Sequence, residues 1–227
     1  MNSAESPKSV PPTVVHVRPL ASPLPLGFAG LACGTFMLAG LQLEWAPAVE
    51  GPAVGLVLLG FVFPLQFTAA VIGFLCRDGA TATAMGVLSG AWLSLGLVTE
   101  TSAPGSTSKA AGLLLLLTGV VLLVPVAAAG RGKPVASFVI ALASVRFLTT
   151  GVYEVSGSST WKTAAGIIGL VLAAAAVYAA LALALEDQRG RAVLPTWRKG
   201  TGAKAFKGDW PTQIASVSAE AGVRRQL

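Results

Sequence analysis

Arg146 lies eleven residues into the apolar stretch Val135–Tyr153. If that stretch is helical, the guanidinium sits about 16 Å from its start at 1.5 Å per residue. A charge at that depth of a bilayer costs at least about 2.5–3.5 kcal/mol on insertion scales, so it marks a bundle-facing or pathway residue. Its planar donor fork suits the two oxygens of a carboxylate. Thr149 and Thr150 follow at three and four residues, on the same helical face. The structural alternative is that Arg146 caps helix carbonyls or pairs with Glu100, because buried charges are normally paired. Glu154 is two turns further along, too far for an easy direct pair. A second group of residues is the run Ser22-Pro23-Leu24-Pro25-Leu26-Gly27. Pro25 suits a first helical turn, and the free N–H groups of that turn favour an anion; a plain helix start is the other reading. The third is Pro64, followed by Gln66 and Thr68. Proline removes a donor and kinks a helix, after which Gln66 either faces a wet path or bonds a neighbouring helix. Conventional catalytic and metal chemistry finds no support: His16 stands alone, Cys33 and Cys76 match no zinc spacing, and no phosphate loop with its lysine is present. No catalytic residue, metal or cofactor is expected.

The elements that must position these residues are membrane spans. Of the 227 residues, 54% are hydrophobic and 11% charged, against about 25% charged in an average soluble domain. Mean hydropathy is +0.72. Six stretches have the about 20 apolar residues a spanning helix needs: Leu26–Leu43, Ala53–Leu75, Ala80–Val98, Ala110–Ala129, Val135–Tyr153 and Ala164–Leu185. None alternates with period two, which excludes a β-barrel. The fold class is therefore an all-α integral membrane protein, one six-helix bundle over 22–195 with short connections. The long, weakly basic segment ahead of the first stretch argues for a retained helix over a cleaved signal peptide. Residues 1–21 and 196–227, rich in Pro, Gly, Ser and charge, are expected to be disordered tails.

Lys and Arg placement sets the orientation. With the N-terminus inside, Lys8, Arg18, Arg77, Arg131, Lys133 and eight tail cations from Arg189 to Arg225 lie inside, and only Lys109 and Lys162 outside. Thirteen against two makes both termini cytoplasmic. Trp45, Tyr153 and Trp161 fall at the outer ends, where amphipathic rings prefer to sit. The pI near 9.8 is thus mostly topology, with tail contacts to anionic lipid headgroups; scattered cations and few aromatics give no nucleic-acid surface. Gly30-xxx-Gly34 and Gly86-xxx-Gly90 would let their helices approach neighbours closely. The alanine-rich sixth stretch fits packing within the monomer or between subunits.

At the first stretch, the run Ser22-Pro23-Leu24-Pro25-Leu26-Gly27-Phe28 resembles the Asn-Pro-Ala-Pro-Leu-Gly-Leu motif of the acetate–succinate permease family, the acetate uptake transporters. Gln66 matches a family glutamine, and Tyr178, Ala180, Leu185, Gln188, Gly190, Arg191, Val193, Leu194 and Pro195 fall on the bacterial pattern without a gap. The resemblance spans roughly Ser22 to Pro195. It implies a six-helix protomer in the plasma membrane, commonly assembled as a homo-hexamer, each protomer holding its own path for acetate, succinate and similar small carboxylate anions, either as a channel or coupled to protons. The family's apolar constriction of Phe, Tyr and Leu falls on Leu31, Leu88 and Ala143. Both aromatics are lost there, and Arg146 stands where the family usually has an apolar residue. A wider, more cationic path would suit a larger or more strongly anionic carboxylate. The competing readings are a channel for ammonia or another small neutral solute, and a non-transporting membrane scaffold. The lack of His, Asp and Glu within the helices argues against a membrane-embedded enzyme.

Overall fold

The computed structural model describes residues 20–129 and 132–198, and the described residues are helical with no strand. Most of both tails, and Arg131, lie outside them. Six helices are long and apolar enough to cross a membrane: α1 (Leu24–Gln42), α2 (Ala48–Leu75), α3 (Gly79–Thr101), α4 (Lys109–Ala129), α5 (Pro134–Ser156) and α6 (Ser159–Arg189). The chain is a multi-pass membrane protein. Its outward faces carry large apolar side chains, Phe74, Leu113 and Phe138 among them, each more than 60% exposed. In water such a surface would aggregate; in lipid it needs no polar cover.

The helices alternate in direction, so the starts of α1, α3 and α5 share one face of the bundle, here the near face. Gln42, Ser102 and Gly157 mark the far face. Asp78 caps α3, accepting from the Thr81 amide at 3.2 Å, and Ser108 caps α4 through the Ala111 amide at 3.3 Å. Left-handed glycines end the last two helices, Gly157 at φ 66° and Gly190 at φ 60°.

Prolines disturb the helices locally. Pro64 lacks the N–H that would reach the Gly60 carbonyl. The chain absorbs the loss in a π-helical turn, Leu58–Val62, directly before the regular segment Phe63–Leu75. Pro125 acts likewise in α4, whose regular segments Lys109–Val121 and Leu123–Ala129 meet at Leu122.

Half of the alanines of α6 pack inside the protomer, and Ala174 is exposed. Ala165, Ala173, Ala176, Ala179 and Ala182 are buried, with α6 laid along α1 and α5. Of the two glycine pairs read as close-packing motifs, Gly30 and Gly34 press against Leu65 and Val62 of α2. Gly86 and Gly90 do not behave that way: a Cβ at Gly90 would meet nothing within 4 Å, and one at Gly86 only Ala70 at 3.8 Å. Gly86 only touches α2 loosely, and Gly90 faces open space among the described residues. The closest approach involving glycines of α4 and α5 is at Gly112 and Gly151, where a Cβ on either would lie 3.0 Å or less from the other's carbonyl oxygen.

Beyond α6 the chain folds back. The Tyr178 hydroxyl donates to the Pro195 carbonyl at 2.8 Å, Thr196 is buried, and Arg198 pairs with Glu186 at 2.5 Å.

Candidate functional site

Arg146 is 2% exposed, at the middle of α5. Its partners are all neutral. Nε donates to the Thr35 hydroxyl at 3.4 Å, one terminal nitrogen to Gln42 Oε1 at 2.6 Å, and the other to the Thr150 hydroxyl. The two hydroxyls direct their own protons to backbone carbonyls, Thr35 to Gly169 at 3.4 Å and Thr150 to Arg146 itself at 2.9 Å. That leaves oxygen lone pairs facing the guanidinium. Three described ion pairs exist, Lys133–Asp78, Lys162–Glu44 and Arg198–Glu186, and none includes Arg146. The pairing with Glu100 is not formed. Glu154 instead accepts from the Ser108 amide at 2.8 Å, holding the start of α4. Thr149, expected on the arginine's face, donates to its own helix at the Val145 carbonyl, 2.7 Å away. The guanidinium packs closely against α6, because a Cβ at Gly169 would come 2.8 Å from Nε and 3.2 Å from Cζ. A fully buried charge without a countercharge is an expensive arrangement, retained only where something compensates.

Three cavities line up along α1, α3 and α5. The far cavity, about 90 Å³, is bordered by Gln42, Thr150, Tyr153, Glu154 and Lys162. Next comes a central cavity of about 10 Å³, room for about one water, bordered by Leu38, Trp92, Leu95, Arg146, Phe147 and Thr150. The near cavity, about 20 Å³, is bordered by Leu24, Thr81, Met85, Lys133, Ser137 and Ile140. Each odd-numbered helix passes all three levels in register. On α3 the order is Met85, Leu88, Trp92, Leu95, Thr99; on α5 it is Ile140, Ala143, Arg146, Thr150, Glu154. Leu88 and Ala143 therefore sit between the near and central cavities, one helical turn from each. They and Leu31 are 0% exposed in one apolar cluster, which separates the near cavity from the central one. Two aromatic rings lie one turn further on, Trp92 after Leu88 and Phe147 after Ala143. Trp92 and Phe147 meet edge to face, with ring centroids 5.6 Å apart. Trp92 Nε1 is buried with no hydrogen-bond partner among the described residues.

At the start of α1, Pro23 is the residue before the first turn and makes no side-chain cap, while Pro25 occupies that turn. Leu24 reaches the near cavity; Ser22, Pro23, Pro25 and Gly27 do not border it. Gly27 is packed shut, since a Cβ there would collide with Met85 Sδ and lie 3.2 Å from Ala69 Cβ. Its carbonyl accepts from Gln66 Nε2 at 3.1 Å. Gln66 thus ties α2 to α1, while its Oε1 has no partner among the described residues. At the near mouth Asp78 pairs with Lys133 and accepts from the Thr81 hydroxyl at 2.5 Å. Burial pulls its pKa upward, but Lys133 and Thr81 outweigh burial and hold it below the usual carboxylate value. At the far mouth Lys162, bonded to Glu44 at 2.8 Å, lowers the Glu44 pKa by hydrogen bond and by charge.

A file of small cavities broken by an apolar plug on three helices has the form of a narrow conduit, and comparison with known proteins agrees. Residues 6–198 match the GPR1/FUN34/yaaH family. The chain belongs to that family. The succinate-acetate/proton symporter SatP of Escherichia coli strain K12 is 29% identical over 182 residues, covering 78% of this chain and 95% of that protein. The symporter of the same name from Shigella flexneri matches equally. A solved structure described as the bacterial acetate channel SatP superposes with a TM-score of 0.68 at 28% identity, covering 78% of this chain and 99% of that one. The six-helix architecture is therefore the family's own.

Among the nine candidate residues, Leu31, Leu88, Ala143 and Arg146 lie along one file, Gly27 and Gln66 lie in the α1–α2–α3 packing, and Ser22, Pro23 and Pro25 form the approach and first turn of α1. Sequence reasoning missed Thr35, Gln42, Trp92 and Gly169. The signal for the first two was present, as Thr35 and Gln42 are the polar side chains of an otherwise apolar helix. Their approach to Arg146, more than a hundred residues away in the chain, had no local trace.

Proposed function

We propose that this chain carries small carboxylates of the acetate and succinate class across the plasma membrane, through a path within its own six helices. The observation that carries this reading is Arg146: fully buried, held by two hydroxyls and a carboxamide, with no described carboxylate against it. A permeating carboxylate supplies the missing charge, and the charge-assisted bond is roughly twice as strong as a neutral one. The same charge repels cations, and neutral solutes gain nothing from it. Leu31, Leu88 and Ala143 form the closed section of the path. The α1 start and Gln66 hold the helices that frame it.

In this reading the protein is a transporter without catalytic activity. The near face is cytoplasmic, as the cation distribution argues, and six protomers associate through their exposed apolar flanks, as in the family the motifs resemble. Uptake of labelled acetate and succinate by proteoliposomes, with and without an imposed pH gradient, tests the reading. Carboxylate uptake that Arg146→Gln weakens without loss of membrane-inserted protein supports it, and stimulation by an inward proton gradient identifies coupling to protons. Transport of neither acid by the wild-type chain overturns it, and the mass of the solubilised particle tests the hexamer.

A further inference from the structure

The partners of Arg146 describe a site that is already filled. Gln42 Oε1 stands 2.6 Å from a guanidinium nitrogen, where a carboxylate oxygen would bind. Gln42 is the last residue of α1, and it borders the far cavity together with Thr150, another arginine partner. It therefore stands between that cavity and the buried charge. Its Nε2 makes no hydrogen bond to any described residue. Across the central cavity, Trp92 presents the opposite condition. Its indole N–H is a donor that is buried and unpartnered, while Trp92 and Arg146 border the same space. Buried indole N–H groups normally find an acceptor, so this one points to a ligand oxygen.

We propose that Arg146 and the Trp92 indole N–H together form a carboxylate site, and that Gln42 is the resident stand-in which an incoming carboxylate displaces. The inference rests on the anion-path reading above and adds the site's second donor and its latch. The chemistry follows from charge. A carboxamide oxygen is neutral, so it satisfies the geometry of the guanidinium without cancelling its charge, and a carboxylate exchanges for it favourably. A neutral solute has no such advantage over the carboxamide already in place, which makes the latch selective for anions. A carboxylate fixed at position 42 would close the site permanently.

Acetate uptake by proteoliposomes of Gln42→Glu, Gln42→Leu and Trp92→Phe tests this, with membrane-inserted protein measured for each. Gln42→Glu should lose at least about tenfold in uptake at neutral pH, gain thermal stability, and regain uptake as acid neutralises the new carboxyl group. Gln42→Leu removes the competitor without adding charge and should lower the half-saturating acetate concentration. Trp92→Phe keeps the ring contact with Phe147 but loses the donor, and should raise half-saturation by about fivefold to tenfold. Wild-type uptake by Gln42→Glu at neutral pH, or unchanged half-saturation in Trp92→Phe, overturns the proposal. Those results with an active wild type and an impaired Arg146→Gln would leave the anion path standing. Absent carboxylate uptake by the wild type removes both.

Discussion

Gly169→Ala tests the seating of Arg146 with a single added methyl group. An ideal Cβ at position 169 would lie 2.8 Å from Arg146 Nε, 3.2 Å from Cζ and 3.0 Å from Ala39 Cβ. Comfortable carbon contacts begin at about 3.5 Å, so the guanidinium must retreat or α6 must separate from α1. The bond from Nε to Thr35, already 3.4 Å long, does not survive a further shift of that size. Overpacking of this kind costs about 1–3 kcal/mol. The lost bond to a charged group adds about 1.5–3 kcal/mol, and removing a glycine from a helix returns about 1 kcal/mol. The expected net loss is about 1.5–5 kcal/mol, a Tm lower by about 3–20 °C for a chain of this size. Thermal unfolding of the purified protein in detergent, followed by tryptophan fluorescence, reads it. Gly90→Ala is the control, because nothing lies within 4 Å of its added carbon. In an Arg146→Gln background the penalty at position 169 should shrink, since the shorter side chain leaves the space open. Equal Tm values for Gly169→Ala, Gly90→Ala and the wild type would refute this account of the contact.

Three further outcomes are expected. The Asp78 carboxyl, held below its usual pKa by Lys133 and Thr81, contributes stability above the unfolded value of about 3.9 and loses it as pH falls through the folded value; Asp78→Asn should lower Tm at neutral pH and flatten the decline in acid, and an unchanged acid profile would remove Asp78 from the explanation. Gln66→Leu deletes the bond to the Gly27 carbonyl and should cost about 0.6–2 kcal/mol of stability with unaltered half-saturation for acetate; a changed half-saturation would place Gln66 in the path instead. In a chain with Cys33 and Cys76 replaced by Ala, Ala46→Cys and Ser156→Cys should react with an impermeant thiol reagent outside intact cells and Gly132→Cys should not, and labelling at 132 would invert the proposed orientation.

The spans were legible because bilayer thickness imposes its length on the sequence. Expected and observed helices agree in number and order, and differ mainly at their ends. Helix α6 runs to Arg189 because Glu186, at its polar end, pairs with Arg198 and is not exposed to water. Arg146 was legible as an anomaly, being a charge in an apolar run. Its environment was not, because Thr35, Gln42 and Gly169 reach it through antiparallel packing that leaves no periodic mark. Gly86 and Gly90 show the converse. Their spacing suits close packing, but a spacing does not say whether any helix of the same chain lies opposite.

The π turn at Leu58–Val62 has a consequence for how α2 tolerates change. A turn closed by i→i+5 bonds holds one residue more than an α turn, so the helix carries a spare unit of length at that point. With Pro64 replaced by a residue that has an N–H, removing a single residue between Leu58 and Val62 would convert the bulge to ordinary helix and keep Phe63–Leu75 in phase with Gly51–Val57. The same deletion between Phe63 and Thr68 would rotate the remainder of the helix by about 100° and turn the buried Ala69 and Gly73 away from the helices they pack on. Length variation in this span should therefore be permitted at one place and forbidden at its neighbours. An alignment gap falling there would mark a bulge lost or gained, with both flanking segments unmoved.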